Sequence, residues 1–162
     1  GMANRNALCY NIPTKGVACH DIPPCRPNDA EALVRLNAAF NEVDMAPEAV
    51  RHSLLTSPEI VIVAEAAGDV VAFCCAQVHH SFCYPAPVAE VTEMYVDKAH
   101  RCQGCAAGML RFLEEHLSTR YGVDELHLLT GTQNFPAQAA YKKAGFVIHH
   151  ETYMAKEVPP TR

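Results

Sequence analysis

Residues 93–113 read EMYVDKAHRCQGCAAGMLRFL. A β-rich run ends near Val96, a short polar loop follows, and an amphipathic segment opens at residues 104–106. The first amide N–H groups of a helix have no intrahelical partner and carry the positive end of its dipole. A glycine and a small residue at such a start let a bulky anion approach the backbone. Arg101 stands at the mouth, where it can add a charge-assisted bond. The stretch therefore reads as a cradle for phosphate or pyrophosphate. Its spacing, Arg101-x-x-Gly104-x-Ala106, is neither G-x-x-x-x-G-K-[ST] nor G-x-G-x-x-G, which argues against a nucleoside triphosphate loop and a dinucleotide fold.

The same stretch carries Cys102 and Cys105 in C-x-x-C spacing, and that pattern has two other readings. A zinc site would need two more ligands at structural-site spacing. No second C-x-x-C exists, which leaves only His79, His80, His149 and His150 as further candidates. A redox pair is the other reading, since a helix start lowers the pKa of a thiol.

Outward from this unit, the chain alternates clear elements. VAEVTEMYVD (88–97) is a strand leading into the cradle, and Met109, Leu110, Leu113 and Leu117 form one helical stripe stopped by Gly122. Upstream, EIVIVAEA (59–66) and VVAFCCAQVHH (70–80) flank Ala67-Gly68-Asp69 and predict a hairpin. Still earlier, residues 17–43 predict a short strand, a proline-rich turn and a helix capped by Asn28 or Asp29, with Leu33, Leu36 and Phe40 on one face. PEAVRHSLL (47–55) is a second helix with Pro47 in its first turn. Downstream, DELHLLTG (124–131) is a strand, PAQAAYKKAG (136–145) a short helix, and FVIHHETYMAKEV (146–158) one strand or two.

The 162 residues suit one domain with a full core. The expected division is an N-terminal extension over 1–16, one α/β (α+β) domain over 17–158, and a tail over 159–162. Apolar residues make up 49% and charged residues 19%, an ordinary globular balance. No apolar run is long enough for a membrane span, and residues 1–16 contain no signal core. A net charge of −5 without a Lys/Arg cluster argues against nucleic acid as partner. Eight cysteines in a chain of this kind read as reduced, mostly internal side chains in a cytoplasmic protein.

Two motifs taken together resemble the GNAT acetyltransferase superfamily. Arg101, Gly104 and Ala106 match its [QR]-x-x-G-x-[GA] loop, and Asn134, Ala137, Tyr141, Gly145 and Phe146 match its N-x-x-A-x-x-x-Y-x-x-x-G-F signature. The resemblance covers roughly residues 17–156. It implies a mixed, mostly antiparallel sheet of about six to seven strands flanked by about four helices, splayed at an acetyl-CoA cleft. Cys102 and Cys105 then fall at variable positions of the loop, and no metal is expected.

The resemblance also implies an acetyl-CoA site made of Met94, Tyr95, Val96, Arg101, Cys102, Gln103, Gly104, Cys105, Ala106, Asn134, Ala137 and Tyr141. Acetyl transfer to an amine needs a proton removed from the amine, an oxyanion stabilised and a thiolate protonated. Tyr141 is the implied acid, with Tyr95 and Tyr153 as fallbacks. A backbone N–H near Met94 is the implied oxyanion donor. Glu90 and Glu93 are the two candidate bases, with Glu93 preferred. Residues three apart in a plain strand face opposite ways, so only a bulge would bring both to the cleft. His79 and His80 border the next loop, as a proton relay or as solvated strand-end residues; His149 and His150 receive no role. The expected acceptor is a small cationic amine, with a protein or peptide amine, or a non-catalytic acyl-CoA-binding module, as alternatives. A homodimer is left open, and segments 41–56 and 79–88 are expected to select the acceptor.

Overall fold

The computed structural model describes residues 9–13 and 26–160. Its centre is one five-stranded sheet, ordered β1 (Cys9–Pro13), β2 (Ile60–Ala66), β3 (Asp69–His79), β4 (Val88–Val96) and β5 (Glu125–Leu128). β2, β3 and β4 form an antiparallel meander, while β1 adds to β2 and β5 adds to β4 in parallel. Helices α1 (Ala30–Asn41) and α2 (Pro47–Thr56) pack on one face. Helix α3 (Cys105–Tyr121) packs on the other, joined there by α4 (Phe135–Lys143).

The alternation of β2 explains this sandwich. Ile60, Ile62 and Ala64 point into the α3 face, where they meet Met109, Leu113 and Leu117. Val61 and Val63 point into the α1/α2 face with Leu33, Leu36 and Leu54. A strand buried on both faces must be apolar throughout, as IVIVA is. The β2–β3 turn uses Ala67 and Gly68, both at positive φ (54° and 90°), the geometry a two-residue hairpin requires.

Two expectations are corrected. The sheet has five strands among the described residues, not six to seven, because residues 146–160 lie outside any helix or strand and are exposed apart from the partly buried Phe146. Val147, Ile148, Tyr153, Met154 and Val158 of that segment all face solvent. The boundary expected at residue 17 also shifts, since β1 comes from within the stretch read as an extension. CYNIP is too short to signal a strand alone; it forms one by pairing with the edge of β2. The short strand predicted at the start of residues 17–43 falls on residues outside those described.

The feature that positions the site is a bulge in β4. Cys75 pairs with Glu93 while the next residue, Ala76, pairs with Val91, so Thr92 is the extra residue. Residues directly opposite across two strands share a face. Glu93 therefore faces the same way as Cys75, and Glu90 the same way as its partner Gln77. Cys75 and Gln77 are two apart on β3, so both glutamates lie on the α1/α2 face. Beyond Val91, β4 continues to Val96 paired with β3 alone, because β5 ends at Leu128.

The α3 contact is expected to carry much of the core. Leu113→Ala, at a fully buried position, should cost about 2–5 kcal/mol. It should appear as a lower urea midpoint at unchanged slope. A wild-type midpoint would show that α3 contributes little to folding.

Candidate functional site

The cradle predicted from sequence is built as a tight loop and an uncapped helix. Cys102 (φ 59°) and Gly104 (φ 88°) both take the left-handed conformation, which bends the chain from β4 into α3. Gly104 is the N-cap and supplies no side-chain acceptor to the first turn of α3. A Cβ placed on Gly104 would meet no atom within 4 Å, so the open space lies outside the fold, where a ligand would approach. The amides of the first turn thus suit an anion. The loop before them is braced internally. Asp97 accepts from the Ala99 amide, which holds its carboxyl below the usual range, and Gln103 Nε2 donates to the Ala99 carbonyl.

Two residues of the predicted cradle are engaged elsewhere. Arg101 Nε donates to the Val96 carbonyl at 3.1 Å, and its guanidinium lies 5.7 Å from the centre of the Tyr95 ring. Cys105 is buried in the α3 core, and burial raises its thiol pKa. Cys102 is exposed, and both thiols are free. A buried thiol pushed upward is a poor nucleophile, so the pair behaves as one core side chain and one loop side chain.

On the α3 face, Tyr141 packs with Phe146, ring centres 5.9 Å apart, against the cluster that includes Cys74, Met94 and Val96. Burial raises the phenol pKa above 10, with a smaller contribution from Cys74. Asn134, one of the implied cofactor contacts, caps α4: its Oδ1 accepts from the Ala137 amide. That commits the side-chain carbonyl and leaves the NH2 group as donor.

On the α1/α2 face, Glu90 stands 3.7 Å from His79 Nε2, and Glu93 is exposed. The structure adds a residue that the sequence reading passed over. Glu59 precedes β2 by one residue and lies in line with Val61 on this face. Burial raises the pKa of its carboxyl; Thr92 partly offsets the rise and the neighbouring Glu93 adds to it. Thr92 Oγ1 is buried without a hydrogen bond of normal geometry, close enough to Glu59 only for a weak polar contact. Glu59 thus interacts with Glu93 across the sheet, and Glu90 shares their face, so the three make an acidic row.

Beside that row lies a cavity of about 190 Å³. Val61, Phe73 and Cys75 form its floor, and Leu33 and Asn37 of α1 form one wall. Val50, Ser53 and Leu54 of α2 form another, with Glu59 at the end of the floor. The segment 41–56, expected to select the acceptor, does line this cavity. The other expected segment, 79–88, does not: Phe82 and Tyr84 stand free in solvent. Among the described residues, no group of three metal-ligating side chains converges.

The fold and the loop-plus-helix geometry describe an acyltransferase, and comparison with known proteins agrees. The sequence profile of the acetyltransferase (GNAT) family matches residues 29–146, and the chain belongs to that family. Sequence comparison with curated proteins gives no match. Among solved structures, a ribosomal-protein-alanine N-acetyltransferase from Brucella melitensis superposes with a TM-score of 0.70 at 17% identity, covering 85% of this chain and 99% of that one. An aminoglycoside acetyltransferase from an uncultured soil metagenomic sample gives 0.69 at 22%, covering 87% and 98%. A possible acetyltransferase from Clostridium difficile gives 0.68 at 16%, covering 83% and 94%. At these identities the likeness is one of fold. The family uses acetyl-CoA as cosubstrate.

Two outcomes test this site. Gly104→Glu should abolish acetyl-CoA binding in a calorimetric titration while the protein still melts cooperatively, because it sets a carboxylate where the pyrophosphate belongs. Retained binding would count against the cradle. The raised carboxyl pKa of Glu59 sets the sign of the second. Its contribution to stability is complete below the unfolded value of 4.5 and is lost as pH rises through the folded value. Glu59→Gln should therefore melt above wild type at pH 8, with the difference vanishing near pH 4. Equal melting at both would mean that the carboxyl is fully solvated.

Proposed function

We propose that this chain transfers the acetyl group of acetyl-CoA to a small cationic amine by direct attack within a ternary complex. The observation that carries the reading is the bulge at Thr92, which turns Glu90 and Glu93 to the same face as Glu59. An ammonium group approaching that face meets the carboxylates of Glu90 and Glu93.

The cosubstrate supplies the thioester whose C–S bond breaks as the new C–N bond forms. Its pyrophosphate is assigned to the first-turn amides of α3, with Gly104, Cys105 and Ala106. Its pantetheine arm is assigned to the edge of β4 at Met94–Val96, which β5 leaves uncovered, and to the Asn134 NH2 group. Glu93 takes the amine proton, with Glu90 and His79 as the route to solvent. Tyr141 gives its proton to the departing sulfur. Acid and base lie on opposite faces of the sheet, and the free edge of β4 runs between them. Arg101 is assigned to holding the end of β4 through Val96 and Tyr95. The free thiols among the described residues suit a reducing compartment, and the cytoplasm is the proposed location.

The test is a panel of amines and peptides with acetyl-CoA, reading thiol release. Turnover confined to peptide N-termini or lysines would replace the small-amine reading with the protein-amine one. With an acceptor in hand, Tyr141→Phe should lower kcat about 100-fold or more with little change in acetyl-CoA Kd. An intact kcat would remove Tyr141 from the acid role.

A further inference from the structure

The cavity between α1, α2 and the sheet is more selective than an acidic groove alone. We infer that Glu59 is the specificity-determining residue of the acceptor site, and that the acceptor is a monoamine whose apolar, ring-sized body fills this cavity while its ammonium pairs with Glu59. This rests on the acetyl-transfer reading above and narrows it.

The size comes first. The cavity holds about 190 Å³, and an apolar cavity of about 150 Å³ is enough for benzene. One ring or a branched chain of similar bulk fits it. Chemistry narrows it further. Leu33, Val50, Leu54, Val61 and Phe73 offer no polar group, so filling the cavity with apolar surface is favourable. Glu59 supplies its only carboxyl. A second ammonium drawn inside would find no counter-charge, and an unpaired buried charge is costly. Polyamines and aminoglycosides carry several, so they are excluded from the cavity on that ground.

The position of Glu59 also fits the transfer. It ends the floor at the start of β2, one strand removed from β4, yet close enough for its charge to be felt by Glu93 and its carboxyl by the Thr92 hydroxyl. An ammonium held there lies beside the bulge, with its proton near Glu93. Thr92 Oγ1, buried without a hydrogen bond of normal geometry, stands at the same corner.

The experiment compares methylamine, isopentylamine, 2-phenylethylamine, spermidine and kanamycin as acceptors for wild type, Glu59→Gln and Ala49→Phe. Calorimetric titration of 2-phenylethylamine into each protein runs in parallel. Wild type should give its highest kcat/KM with 2-phenylethylamine or isopentylamine. Glu59→Gln should raise the KM for these about 10- to 100-fold, the loss of one charged hydrogen bond, with kcat and acetyl-CoA Kd nearly unchanged. Ala49→Phe, which places a ring at the α2 wall, should erase their advantage over methylamine. Three results overturn the inference: spermidine or kanamycin preferred, 2-phenylethylamine no better than methylamine, or a Glu59→Gln KM equal to wild type. Calorimetry separates the two levels. Glu59-dependent binding of 2-phenylethylamine without turnover of any amine would sink the acetyl-transfer reading and leave the pocket standing. Turnover of amines that ignores Glu59 would do the reverse.

Discussion

One extra residue in β4 governs the arrangement of everything else at the site. A regular strand would send Glu90 and Glu93 to opposite faces, one of them into the packed core beneath α3. The bulge at Thr92 removes that conflict by resetting the alternation, so that Met94 and Val96 join the α3 core while Glu93 and Tyr95 face α1 and α2. The bulge also sits next to the point where β5 stops. Bulges bend a strand and raise its twist, and a parallel neighbour as short as β5 cannot follow far beyond one. A single insertion thus fits both the display of acids on one face and the exposure of an edge for a ligand.

The two faces of the sheet are correspondingly different in chemistry. The α3 face is dry and closed: Cys74 is fully buried with its thiol pushed up to about 12, and Cys105, Met109 and Leu113 complete a core without a charged group. The α1/α2 face begins as core at Leu36 and Phe73 but opens toward Glu59 and His79. The difference follows from helix length. α3 runs 17 residues and covers its face, whereas α1 and α2 run 12 and 10 and leave a gap between them. The cavity is that gap.

Most of the architecture was legible because it rests on local signals. Hairpin, helix starts at Pro47 and Gly104, and the stop at Gly122 each depend on residues adjacent in sequence. The two segments at the margins were not legible in this way. CYNIP gains its strand character only from β2, and FVIHHETYMAKEV has the alternation of a strand without being one here. At the site, Tyr141, Glu90, Glu93 and Gly104 could be named from motif and spacing. Asn134 was named from the motif, but its role as the cap of α4 was not, since the motif does not say where the helix starts. Glu59 was missed for a definite reason: its partners, Thr92 and Glu93, are more than 30 positions away, and only the register of three strands brings them together.

The CQGC stretch shows how position outranks residue type. By composition it is a thiol pair, yet the fold buries Cys105 in the core and leaves Cys102 on a left-handed turn in solvent. A thiol that replaces a small hydrophobe under α3 costs nothing there, because the backbone amides, not the side chains, are the groups turned outward. The same separation holds on the far face. Glu59 stands just before the apolar run of β2, where burial raises the pKa of its carboxyl and the neighbouring Glu93 adds to the rise. An ammonium pairing with it, as proposed, would offset the same burial cost that weakens the fold.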